Sequence, residues 1–214
     1  MTSLARYIFV DHFSLAVDGA LLMAVGLFIA IPVVKYRLGF LQRVPLGVMK
    51  IISMLMGERA GVLRMVCVIW LFNSTVMFLY MASGFHPMLP KIFGIWTGLN
   101  IGVVMAHSHG EAQEGRGGFL PAVPEGSWRP PRPLAGLCGL LVLFIELPCF
   151  FYSIALGMGM GGEIAWGGVP YSEAFPQRAA VYGAVIFPLL LISAIAETIA
   201  IYGGMPGEDE DDKA

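Results

Sequence analysis

Five stretches of this chain are so continuously apolar that water is a poor solvent for them: 15–34, 62–82, 91–107, 134–160 and 179–202. A helix needs roughly 20 apolar residues to cross a hydrocarbon layer of about 30 Å. Inside that layer the backbone must satisfy its own hydrogen bonds, which a helix or a closed barrel can do. The runs are unbroken rather than alternating, so helices are expected. Charged residues make up only 13% of the chain, against about 25% in soluble domains. The expectation is an all-α integral membrane bundle of about five transmembrane helices, forming a single membrane domain over 1–214.

The first run is expected to stay in the mature protein. Its leading segment has Arg6 but also Asp11, His12 and Asp18, and no clear small-residue cleavage site follows. The cysteines Cys67, Cys138 and Cys149 lie inside apolar runs, which suits small buried hydrophobes rather than a disulfide or zinc framework.

Five spans place the termini on opposite sides, and Lys and Arg select the side. Lys35, Arg37, Arg43, Lys50, Arg59, Arg64, Arg116, Arg129, Arg132 and Lys213 fall on one side, with only Arg6, Lys91 and Arg178 on the other. The N-terminus is expected outside and the C-terminus in the cytoplasm of a cell-membrane protein. Between the first two spans, "LGVMKIISMLMGE" spaces its apolar residues as a helix does, near Arg43 and Lys50. An interfacial helix fits this segment, and so does a plain buried connector. The segment 108–133 is rich in Gly, Pro and charge and reads as an irregular cytoplasmic loop, with Trp128 near the headgroups. The tail 203–214 ends in an acidic run expected to be solvated.

Polar residues inside the runs are the candidate functional groups. Counting 1.5 Å per residue, Glu146 lies roughly 18 Å into its span, Asn73 roughly 14–16 Å and Asn100 roughly 14 Å into theirs. Glu197 lies roughly 8 Å from the cytoplasmic end of the last span by the same rise. A carboxylate at this depth costs energy unless it faces protein or a wet cavity. Pro148 removes the hydrogen bond to the Phe144 carbonyl, so an unused acceptor is expected near Glu146. Asn73, Asn100, Glu146, Pro148 and Glu197 are therefore the expected intramembrane polar centre. It is either an ion, proton or substrate site, or a polar knot holding the helices together.

Gly94, Gly98 and Gly102 recur at every fourth position, as do Gly157 and Gly161. Such small-residue stripes let a second helix approach closely, within the chain or between copies. His107, His109 and Glu111 alternate after the third span and, if extended, would point the same way toward a metal. Solvated loop histidines are the stronger reading. No phosphate-binding loop, nucleophile elbow, HExxH or CxxC pattern occurs.

Three stretches resemble the stage II sporulation protein M family of small polytopic membrane proteins. "FNSTVMFLYMASGFHPMLPKIFGIWTGLNIGVVMA" is similar to the family's Asn pair, short turn and Asn–Gly segment, matching at Asn73, Gly84, Gly94, Asn100 and Gly102. "IELPCFFYSIALGMGMG" is similar to its Glu-Leu-Pro-Ala helix with trailing glycines, and "VIFPLLLISAIAETIAIY" to its last helix, at Glu146, Pro148, Pro188 and Glu197. The chain departs from the pattern where Ser74 replaces the second Asn, and where "LVLF" stands in place of a His-Gly. The resemblance implies a five-helix fold and a role within a membrane complex. The family's namesake works with peptidoglycan-degrading partners during engulfment; sporulation is not implied for this chain.

The expected function is that of a non-enzymatic scaffolding or anchoring subunit of a larger membrane complex. The alternative is a transporter or channel component for a proton, cation or small amphiphile using Glu146. A metalloenzyme built on the histidines ranks last. No cofactor, metal or nucleic-acid partner is expected. The expected partners are the bilayer, other subunits, or further copies of the chain as an oligomer.

Overall fold

The computed structural model describes residues 10–57, 61–113 and 130–204, with the backbone alone described over 108–113 and at 204. The described residues form seven α-helices: α1 (Phe13–Lys35), α2 (Gly39–Met56), α3 (Val62–Ala82), α4 (Leu89–Gln113), α5 (Arg132–Gly167), α6 (Tyr171–Val181) and α7 (Phe187–Gly204). A 3-10 turn, Ser83–Phe85, follows α3, and a π-helical turn, Tyr182–Ile186, joins α6 to α7. No strand occurs among the described residues. Among the described residues six helical segments are long and apolar enough to cross a membrane, α6, the π turn and α7 counting as one.

The sixth of these is α2, the segment read from sequence as an interfacial helix or a connector. It is the least apolar of the six. It also separates its polar and apolar faces more sharply than any other described helix. The fourth apolar run is longer than expected. Its glycine-rich end does not stop the helix, because Gly157 and Gly161 are packed rather than solvated; α5 ends only where Gly168 turns left-handed at φ 64°.

α5 is the central helix and packs against α1, α3 and α7. α1 and α4 form the closest pair, and their glycines explain why. A Cβ on Gly98 would overlap the carbonyl oxygen of Met23, and one on Gly26 would overlap that of Ile95. Gly94 lies against Leu22, and Gly102 against Ala30. The partner of this stripe is therefore a helix of the same chain. Gly157 and Gly161 accept the turn between α3 and α4, at the carbonyl of Tyr80 and at Pro87.

Pro188 accounts for the π turn. Its ring has no N–H and would press on the carbonyl four residues back, so the preceding turn widens. Phe187 then donates its N–H to Tyr182 five residues earlier.

Candidate functional site

The polar centre lies where α3, α5 and α7 meet. Glu146 of α5 is half-buried. Its Oε1 accepts a hydrogen bond from Asn73 Nδ2 of α3 at 2.8 Å, and another from Ser193 Oγ of α7 at 3.1 Å. One carboxylate oxygen thus joins side chains from all three helices. Glu197 follows Ser193 by one turn and shares its face of α7.

The surroundings hold this arrangement. Tyr182, in the π turn, donates its hydroxyl to the carbonyl of Ser74, next to Asn73. Trp70, nearly one turn before Asn73, donates its indole N–H to the Phe187 carbonyl at 3.1 Å. Both bonds fix α3 against the start of α7, and so fix the positions of Asn73 and Ser193. Met77, Met81, Cys149, Leu156, Ile186 and Leu190 form the apolar packing between the same elements.

Two expected members lie elsewhere. Asn100 does not join Glu146: its Oδ1 is buried with no hydrogen-bond partner among the described residues. Equal depth does not imply equal azimuth, and α4 turns its glycine face toward α1 instead. Pro148 is exposed and lines an apolar groove. Phe144 and Pro148 are one turn apart on one face, whereas Glu146 is about 200° around the helix from each. The acceptor freed by the proline therefore faces away from the carboxylate, and the expectation that the two combine is corrected.

That groove, of about 190 Å³, runs between α5 and the α6–π–α7 segment. His12, Ile145, Tyr152, Val181 and Leu189 are among the residues that line it. It lies beside the polar centre without including Glu146 among its lining residues.

The histidine pattern is also corrected. α4 continues through 107–113, so residues two apart lie on opposite faces rather than pointing the same way. His107 is exposed, and the side chains of His109 and Glu111 lie outside the described residues. Trp128, Arg59, Arg116, Arg129 and the acidic run after 204 lie outside them too.

Sequence reasoning missed Ser193, although a serine one turn before Glu197 in an apolar run was a usable signal. It also missed an ion pair made by a buried arginine. Arg178 of α6, only 2% exposed, pairs through Nη2 with Glu163 Oε1 near the end of α5 and donates Nη1 to the Ala174 carbonyl at 2.9 Å. No family model, curated protein or solved structure matches this chain.

Proposed function

We propose that the protein is a non-enzymatic, multi-pass membrane subunit that scaffolds or anchors a larger membrane assembly. The observation that carries this reading is the use made of Glu146. Its Oε1 binds donors from two other helices, so the carboxylate acts as a tie across the bundle. The neighbouring groove is apolar and suits lipid or side chains better than water. The resemblance to the stage II sporulation protein M family implies the same kind of role. The glycine stripes no longer argue for self-association, since helices of the same chain fill them.

In this reading five helices cross the membrane and α2 lies along its surface, with the N-terminus outside and the C-terminus in the cytoplasm. Lys50 supports the placement of α2. It is exposed near the middle of an 18-residue helix. Facing lipid at the bilayer centre, a lysine costs about 2.5–3.5 kcal/mol. At the surface the same residue reaches water.

Extraction from the native membrane into polymer-bounded discs, followed by mass measurement, tests the scaffold reading. A particle holding this 23.1 kDa chain in fixed stoichiometry with a second protein is expected. A lone chain that retains its native fold overturns it.

A second reading, a proton or cation pathway, draws on Glu197, which lies one turn beyond Ser193 on the face of α7 that meets Glu146. Two carboxylates gathered at one centre are suited to sharing a proton or binding a cation. It requires flux in vesicles that Glu146→Gln abolishes.

A further inference from the structure

The outer side of α2 carries a surface that the polar centre does not explain. Phe40, Val44, Ile51, Met54 and Leu55 are exposed. Their spacing places them on one stripe of the helix. Arg43 and Lys50, both exposed, run along one flank of that stripe, two turns apart. Pro45 and Met56 face the opposite way, into the protein.

Both ends of α2 are fastened by the chain and carry further cations. At its start, Gln42 Nε2 donates to the Val33 carbonyl of α1 at 2.8 Å. At its end, Arg64 Nε of α3 donates to the Leu55 carbonyl at 2.9 Å, and Gly57 turns away with φ 78°. Arg64 is itself exposed, which leaves the rest of its guanidinium on the surface.

The turn from α1 to α2 supplies an independent observation. Leu38 N–H bonds the Val33 carbonyl at 3.0 Å, and Arg37 N–H bonds that of Val34 at 3.1 Å. This is the helix-ending pattern whose left-handed position glycine normally fills. Here Arg37 fills it, at φ 51°. A side chain in that region is strained, and glycine would relieve the strain. A cation at a strained position beside exposed Lys35 points to a use for its charge.

We propose that α2, the turn that precedes it and the start of α3 form a seat for anionic phospholipid headgroups. The apolar stripe enters the acyl boundary, and Arg37, Arg43, Lys50 and Arg64 contact lipid phosphates. The occupant is membrane lipid because the cations flank an apolar stripe that itself requires a lipid phase. Arginine forks suit phosphate oxygens, and the long lysine stem lies along the apolar face while its ammonium stays at the headgroup level. This inference rests on the surface placement of α2.

The test uses the whole protein in nanodiscs of phosphatidylcholine, with and without phosphatidylglycerol. Hydrogen exchange over 39–56 should slow severalfold when phosphatidylglycerol is present, and the melting temperature should rise. The triple variant Arg37→Gly/Arg43→Gln/Lys50→Gln should lose both responses. Arg37→Gly alone should melt no lower than the parent in phosphatidylcholine while losing part of the response, which separates lipid contact from a fold requirement. Equal exchange in the two lipids, or a full response in the triple variant, overturns the proposal.

Cysteines introduced at Gly39 and Ser53, which lie on the Arg43 and Lys50 side of α2 and off the apolar stripe, distinguish the underlying reading. Labelling of both by an impermeant maleimide from one side of a vesicle places α2 on the surface. Labelling from opposite sides makes α2 a span, and the surface placement then fails together with the proposal. Same-side labelling with lipid-insensitive exchange defeats the headgroup seat alone.

Discussion

Glu146 shows how one residue can serve three helices. Its carboxylate oxygen accepts from Asn73 and Ser193, so removing the acceptor leaves two donors from other helices without a partner. An unmade buried hydrogen bond costs about 1–3 kcal/mol. Glu146→Ala should therefore lower the melting temperature in mild detergent, whereas Glu146→Gln, which keeps an acceptor oxygen, should melt near the parent. A differential scanning fluorimetry series over both variants checks this. The pairing with Asn73 was half legible in the sequence, because depth counting brought the two residues to one level. The failure of Asn100 to join them was not legible. Depth follows from residue number, but azimuth depends on which neighbour each helix face has found.

At the scale of elements, glycine spacing predicts close helix approach, and the identity of the approaching helix decides what that approach does. Gly98 meets the Met23 backbone, which cannot move aside as a flexible side chain can. Gly98→Val should destabilise the α1–α4 pair by about 1–3 kcal/mol or more, in the range of overpacked cores. Gly162→Ala should leave the melting temperature nearly unchanged, since nothing lies near its added methyl. If Gly98→Val instead leaves stability intact and changes only the association state, the stripe faces another copy. The Glu163–Arg178 pair belongs to this scale as well, tying α6 to α5. A hydrogen bond to a charged group contributes about 1.5–3 kcal/mol. Glu163 is half exposed, so Glu163→Ala should fall toward the lower end; chemical unfolding in a lipid–detergent mixture measures it. Neither partner stood out in sequence, where Arg178 served only as a topology marker and Glu163 drew no reading.

Across the whole molecule, the central α5 joins two kinds of interface. On one side α1 and α4 are held backbone to backbone through glycine, and on the other α3 and α7 are held through a polar centre. The all-helical architecture was legible in the sequence because continuous apolar runs admit few other solutions. The extent of α5, the extra helix α6 and the π turn were less so. Each depends on packing at glycines, on a buried arginine, or on Pro188 against its own preceding turn.

In the scaffold reading the carboxylate centre locks the bundle and does not conduct. Flux through vesicles containing the purified protein tests it most directly, with proton and monovalent-cation gradients applied in turn and Glu146→Gln compared with the parent. Both proteins should fold, and both should leave the gradients at the rate of empty vesicles. A parent-dependent flux that disappears in a correctly folded Glu146→Gln protein would contradict the claim and make the same residues a pathway.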